Sequence, residues 1–364
     1  MEIDRTFAKI HLDNLSFNYK QAQKLAGDSK VLAVVKADAY GHGAVKCARR
    51  LVADGCEHFA VASLKEAVEL RENGIECDIL IFGRTKVINH CYLSKYNLVQ
   101  TVYSLEYAKQ LNECNEDIRI HINVDTGMSR FGLYLHEEGD IDDVVDDFRA
   151  IQDLPNLKYE GMYTHFANSD EESKDFCDKQ FYMFNHLIEK LHQLFTYTGI
   201  KHAANSGAIV SHQNKHLDMV RFGIGLYGYP HTRIVAEFKP VMEVFSHITQ
   251  TQKIREGDTV SYGRTYRAKQ DELIATVAIG YADGYNRLLS NKDYLLFGNI
   301  KLPVIGRVCM DAIMVSCNGV DIKDGELVEV FGLNKPLESM CRIIHTIPYE
   351  LLCNVSKRVP RLYD

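Results

Sequence analysis

Apolar residues recur along this chain in two rhythms, and the rhythm changes near Pro230. Before that point, short β-branched runs alternate with stretches whose apolar residues return at every third and fourth position. The runs fall at residues 31–36, 58–63, 78–82, 98–102, 118–125, 158–165, 200–205 and 219–222, which predicts eight strands. Helical spacing fills 44–53, 64–73, 105–114 and the long stretch 174–194. This alternation predicts an α/β fold, a (β/α)8 barrel. In the most acidic stretch, 140–147, the positions Ile141, Val144, Val145, Phe148 and Ile151 keep helical spacing, so the aspartates read as the wet face of an amphipathic helix.

Beyond Pro230 the spacing becomes two, punctuated by Glu256-Gly257-Asp258 and Asp324-Gly325. Strands are predicted at 241–249, 259–262, 273–279, 304–308, 313–317 and 327–331, giving an antiparallel β domain closed by one helix over 337–355. Ala8, Ile10 and Leu12 alternate as one more strand over about 6–13. The expected organisation is a barrel over 1–235 and a C-terminal β domain over 236–364.

A length of 364 residues suits two domains, one of them a barrel of about 250 residues. With 46% hydrophobic and 25% charged residues and a net charge of −7, the chain has no basic footprint for nucleic acid. Residues 1–15 hold no basic segment followed by an apolar core, and no run approaches the roughly 18 apolar residues of a membrane span. A cytoplasmic protein without nucleic-acid or membrane partners is expected. The ten cysteines show no Cys-x-x-Cys and no pairing with the 15 histidines at zinc-ligand spacing, so reduced core thiols and no metal site are expected.

Polar side chains gather where the predicted strands finish. Lys36 ends the first, Arg130 lies just beyond the fifth, His165 ends the sixth, Asn205 and Ser206 end the seventh, and Arg221 lies in the eighth. Barrel active sites occupy that face, and partial burial of a lysine there lowers its pKa toward nucleophilic use. The loops after strands seven and eight, with Ser206, Gly223 and Ile224, suit a phosphate group, and Tyr40 can add a hydroxyl. Gly223-Ile224-Gly225-Leu226-Tyr227-Gly228 also fits the dinucleotide pattern G-x-G-x-x-G, but Tyr229-Pro230 leaves no room for the crossover helix which that reading needs.

Several stretches, spread over residues 6–362, resemble the pyridoxal-phosphate-dependent alanine racemases of fold type III. They are Ala33-Val34-Val35-Lys36-Ala37-Asp38-Ala39-Tyr40-Gly41-His42-Gly43, Asp125-Thr126-Gly127-Met128, Met162-Tyr163-Thr164-His165-Phe166-Ala167, Ala204-Asn205-Ser206, Arg221-Phe222-Gly223-Ile224, Ser261-Tyr262-Gly263, Gly280-Tyr281-Ala282-Asp283-Gly284 and Gly306-Arg307-Val308-Cys309-Met310-Asp311. The resemblance implies interconversion of L- and D-alanine, with D-alanine going to peptidoglycan. It assigns the Schiff base to Lys36 and the second base to Tyr262. Phosphate contacts go to Tyr40, Ser206, Gly223, Ile224 and Tyr349, and the pyridine-nitrogen contact to Arg221, with His165 and Asn205 beside the cofactor. Arg130 and Met310 receive the substrate carboxylate. The first strand joins the C-terminal domain, and the protein is a homodimer with each tyrosine supplied by the partner, although the sequence is equally compatible with an intrachain site.

Racemisation needs a base on each face of a planar carbanion, and Lys36 and Tyr262 supply two. Arginine can only donate, so Arg221 leaves the pyridine nitrogen unprotonated and the ring a weaker electron sink. A phenolate at Tyr262 needs nearby cations, for which His165 and Arg130 are candidates. Where some relatives carry a carbamylated lysine beside the substrate-binding arginine, this chain has Asn123, so neutral hydrogen bonds or an anion such as chloride must hold Arg130. Pro348 and Lys357 also depart from the pattern. A serine or broad small-amino-acid racemase is the alternative, since an apolar pocket rejects an added hydroxyl by about a hundredfold at best. Arg221 argues against a decarboxylase, and the β domain against a non-catalytic pyridoxal-phosphate carrier.

Overall fold

A computed structural model of the chain describes residues 5–171, 173–196, 199–230 and 237–364. A short strand β1 (Phe7–Ile10) precedes β2 (Lys30–Val34), β3 (His58–Val61), β4 (Asp78–Ile81), β5 (Val99–Val102), β6 (Ile118–Asp125), the two-residue β7 (Leu133–Tyr134), β8 (Leu157–Tyr163), β9 (Ile200–His202) and β10 (Met219–Phe222). Strands pair in parallel in the order β5-β4-β3-β2-β10-β9-β8-β6, and β5 pairs again with β6, which closes an eight-stranded barrel. Covered on both faces, β3, β5 and β10 bury every residue, as parallel strands do. The barrel strands also bury polar side chains, Gln100 and Thr101 on β5, His121 and Asn123 on β6, and His202 on β9.

Helices wrap the barrel with their apolar stripes inward. The acidic helix Ile141–Gln152 buries Ile141, Val144, Val145, Phe148 and Ile151 and leaves its aspartates outside. Ser63 and Glu66 form a capping box on helix Leu64–Glu72. Lys36 does not end its strand as expected, because β2 stops at Val34 and the chain enters a left-handed turn. Ala37, Asp38, Ala39 and Tyr40 have φ of 53–54°, a conformation that costs an L-residue roughly 1–2 kcal/mol. Side chains hold it there. Glu66 Oε1 accepts from Ala37 N at 2.8 Å and Asp38 Oδ1 from Ala44 N at 2.7 Å.

The β region runs through β11 (Met242–Ile254), β12 (Thr259–Val260), β13 (Tyr266–Arg267), β14 (Glu272–Val277), β15 (Tyr294–Phe297), β16 (Ile300–Ile305), β17 (Ile313–Ser316), β18 (Leu327–Phe331) and β19 (Arg361–Tyr363). Its main sheet has the order β14-β17-β16-β15-β18-β11-β1-β19, with β14 also paired to β11. Every pair in it is antiparallel except β1 with β19. The chain divides into two compact units, one of Met1–Asn14, Tyr40–Gly43 and Pro240–Asp364, the other of Leu15–Ala39 and Ala44–Lys239. The expected boundary between 235 and 236 lies outside the described residues. In the first unit Arg361 Nε donates to Gly41 O at 3.0 Å and Tyr363 Oη to His42 O at 3.1 Å, tying the segment after the left-handed turn to β19.

Four local expectations fail for physical reasons. Leu12 opens helix Leu12–Ala26 rather than ending β1. The strand expected over 259–262 stops at Val260, because Ser261 turns to φ 66°. β15 has no counterpart in the periodicity; its unbroken Tyr294-Leu295-Leu296-Phe297 joins β16 through the two-residue turn Gly298-Asn299. The single helix over 337–355 is two, Leu337–Ile344 and Pro348–Asn354. His345 closes the first in the left-handed region, and Pro348 forces Ile347 into extended backbone before opening the second.

Candidate active site

At the carboxyl ends of the barrel strands, Lys36 stands half-buried with Nζ 5.9 Å from the Phe82 ring centroid. Phe82 meets Tyr163 edge-on at 6.0 Å, and Tyr163 stacks on His202 at 4.8 Å. Arg221, from the middle of β10, is buried and lies 5.1 Å over the same Tyr163 ring. Its Nη1 donates to His202 Nδ1 at 3.0 Å and His202 O at 3.1 Å. Its Nη2 donates to Thr164 O, Ala203 O and His165 Nδ1 at 2.8, 2.9 and 3.2 Å. Nε takes part in none of these bonds.

Burial lowers the Arg221 pKa to about 10, still far enough above neutrality to keep it charged. His165 and His202 are held far below the usual imidazole range, first by burial and then by the Arg221 charge. Arg130 and Lys36 add to the effect on His165, which places all four groups within electrostatic reach. A neutral His165 is not a cation for the Tyr262 phenolate, which corrects that expectation. Arg130 itself is exposed and makes no hydrogen bond or ion pair among the described residues. Asn123 does not brace it directly. Nδ2 of Asn123 donates to Phe131 O at 2.8 Å, and its buried Oδ1 has no partner.

The loops after β9 and β10 present a second polar cluster. Ser206 Oγ accepts from Gly223 N at 2.9 Å and Gly225 N at 3.3 Å, which turns its own hydrogen outward. Gly223 N, expected on a phosphate, is thus committed to Ser206, while Ile224 N has no partner among the described residues. Gly225 is needed because a Cβ there would overlap the Phe222 ring. The G-x-G-x-x-G match forms a 3-10 turn, Ile224–Tyr227, capped by Gly228 at φ 101°, and not the start of a crossover helix. Asn205, also expected at the cofactor, caps helix Ser206–Ser211: Oδ1 accepts from Ala208 N at 3.1 Å and Ser169 Oγ at 2.5 Å.

The β unit carries the remaining candidates. Tyr262 is 72% and Met310 52% exposed. Tyr40 and Tyr349 pair with ring centroids 5.9 Å apart, and burial drives the Tyr40 pKa upward. Tyr281 N donates to Cys309 O and Ala282 N to Met310 O, both at 3.0 Å, so Gly280-Tyr281-Ala282-Asp283-Gly284 and the 306–311 segment form one platform. A Cβ on Gly280 would overlap Met310 O and Cys309 O. Arg358 clamps the platform, with Nε 2.7 Å from Asp283 Oδ1 and Nη2 2.7 Å from Asp311 Oδ1.

Sequence reasoning missed Phe82, Tyr163, His202 and His121. The last two are joined, His202 Nε2 to His121 Nδ1 at 3.0 Å, with Gly161 leaving space for the His121 ring. Their signal was a polar residue inside a strand that should be wholly apolar. Among the described residues no group of His, Cys, Asp and Glu could hold a metal, and no helix is long and apolar enough to cross a membrane.

The barrel residues fit pyridoxal phosphate. The Ser206 hydroxyl and Ile224 amide can donate to a phosphate, Arg221 Nε–H can donate to a ring nitrogen, and Lys36 offers the amine. Residues 10–231 match the family model for the alanine racemase N-terminal domain and 241–363 that for the C-terminal domain. The alanine racemase of Clostridium novyi (strain NT) is 40% identical over 371 residues, covering 98% of this chain and 95% of that one. The solved alanine racemase of Clostridium difficile 630 superposes with a TM-score of 0.93 at 38% identity, over 100% of this chain and 96% of that one. The alanine racemase of Bartonella henselae, solved with covalently bound pyridoxal phosphate, gives 0.90 at 29% identity over 100% of both chains. This chain belongs to the alanine racemase family.

Proposed function

We infer that this protein is a pyridoxal-phosphate-dependent racemase interconverting L- and D-alanine, with a barrel domain over 1–235 that binds the cofactor, its first strand excepted, and a β domain over 236–364 that this strand joins. The observation that carries the reading is a strand-end lysine paired with a buried arginine able only to donate: Lys36 beside Phe82, and Arg221 with Nε unspent. When bound, the cofactor withdraws electrons from an attached amino acid and so acidifies its α-hydrogen. Lys36 Nζ takes or returns that proton on one face of Cα, and Tyr262 Oη does so on the other. Arg221 remains charged and gives no proton to the ring nitrogen, which favours return of the proton to Cα over side reactions.

Ser206, Ile224, Tyr40 and Tyr349 hold the phosphate, Gly223 and Asn205 shape the cradle, and His165 stays neutral beside Arg221. Arg130 and the Met310 amide take the substrate carboxylate. A homodimer with shared sites is supported by the exposure of Tyr262 and Met310 on the β unit. Buried thiols such as Cys56, Cys177, Cys317 and Cys341, each pushed up to about 11, suit a reducing cytoplasm, where D-alanine would feed peptidoglycan. Polarimetry of the cofactor-loaded protein on L- and D-alanine and L- and D-serine tests this. No loss of rotation with either alanine enantiomer ends the reading, and faster loss with serine transfers it to a serine racemase.

A further inference from the structure

Tyr262 makes no side-chain hydrogen bond or ring contact among the described residues of its own chain, so within that chain its position is set by the turn that carries it. In that turn Ser261, Gly263 and Arg264 have φ of 66°, 71° and 54°. Ser261 is the unusual member, because with ψ at −179° it occupies a region nearly confined to glycine. Its hydroxyl offers the compensation. Oγ donates to Arg307 O at 2.6 Å and lies 3.5 Å from Cys309 Sγ, fastening the turn to the 306–309 strap. Behind the turn the strap is fixed as well: Gly306 N donates to Asn291 Oδ1 at 2.6 Å and Val308 N to Ser290 Oγ at 3.0 Å. Gly306 leaves space for the serine, since a Cβ there would lie 2.7 Å from Ser261 Cβ.

We propose that Ser261 is a positioning residue whose hydroxyl holds a strained turn against the Arg307 carbonyl and so sets where the Tyr262 hydroxyl stands during proton exchange at Cα. The proposal rests on the reading of Tyr262 as the second base. Glycine adopts this backbone freely, whereas alanine keeps the strain and loses the bond. Ser261→Ala is therefore expected to release the turn, and Ser261→Gly to keep it.

The test measures kcat and KM in both directions with protiated and Cα-deuterated alanine, together with melting temperatures. Ser261→Ala is expected to lose kcat on the order of tenfold with KM nearly unchanged, and Ser261→Gly to stay within about threefold of wild type. In Ser261→Ala the isotope effect is expected to grow only in the direction where Tyr262 removes the proton. A role confined to folding would move both directions alike. Equal behaviour of the alanine and glycine variants, or symmetric isotope effects, overturns the proposal. If Ser261→Ala melts too low to assay, Ser261→Cys, close in size and a weak donor, takes its place with the same expectations. A wild type that does not racemise alanine refutes the function itself. If wild type racemises and Tyr262→Phe keeps its rate, the tyrosine assignment falls and this proposal with it.

Discussion

Arg221 Nη1 donates to His202 Nδ1 at 3.0 Å, and that bond fixes the protonation of the imidazoles behind it. A guanidinium cannot accept, so the His202 hydrogen sits on Nε2 and points to His121 Nδ1, 3.0 Å away. Both rings are therefore neutral donors in one direction. Burial reinforces this, holding His202 far below its ordinary value and lowering His121 to about 3.

Acid sensitivity follows with a definite sign. Below about 6.5 the unfolded chain protonates these two histidines while the native state does not, so stability is complete above that pH and falls as pH drops toward the native values. Each contributes about 1.4 kcal/mol of lost stability per pH unit in that window. Denaturant melts from pH 7.5 to 5 are expected to give a steeper loss for wild type than for His202→Gln. Parallel profiles would show that His202 is protonated in the folded protein.

The left-handed turn after Lys36 depends on Glu66, whose carboxylate serves both Ala37 N and the helix cap at Ser63. Glu66→Ala is expected to cost about 1–2 kcal/mol, typical of a lost cap, and to lower racemisation by displacing Lys36. Glu66→Gln keeps an acceptor and is expected to lose less. Lys36→Ala, in contrast, is expected to keep the fold while losing both the yellow colour of bound pyridoxal phosphate and racemisation. A yellow, borohydride-reducible Lys36→Ala protein would move the cofactor amine to another lysine.

The barrel was legible because its strands are buried on both faces and its helices on one, and burial of that kind writes a period into the sequence. The strand-end cluster of Lys36, Arg130, His165, Ser206 and Arg221 was legible for the related reason that polar side chains interrupt those runs. What remained hidden depends on partners distant in sequence. His202 sits on a three-residue strand too short to show a period, and its meaning comes from Arg221 and His121. The helix-capping role of Asn205 was not legible, because its residue type suits a cofactor site equally well and the cap shows only in the structure. Pro348 is visible in the sequence, and it breaks 337–355 into two helices by forcing Ile347 into extended backbone.

Asn123 gives a prediction about anions. One of its two amide hydrogens goes to Phe131 O, and its buried oxygen has no partner. An oxygen suits the guanidinium of Arg130 and repels chloride. Replacing chloride with acetate at constant ionic strength is therefore expected to leave the KM for alanine unchanged, while Asn123→Leu raises it severalfold. A KM that rises as chloride is removed would instead assign the bracing of Arg130 to a bound anion.

Whether Tyr262 serves the lysine of its own chain or of a partner is decided by mixing inactive subunits. On the proposed roles, Lys36→Ala and Tyr262→Phe each remove one of the two bases. In a mixed dimer with shared sites, both defects fall in one site and the other is whole. With intrachain sites every site keeps one defect. Random exchange gives mixed dimers as about half the population, each with one good site of two, so roughly a quarter of wild-type activity is expected from parents that have almost none. Native mass spectrometry establishes that exchange took place. Exchange without recovered activity would place Tyr262 beside the lysine of its own chain, and recovery near a quarter would make the dimer the smallest unit able to carry out the reaction.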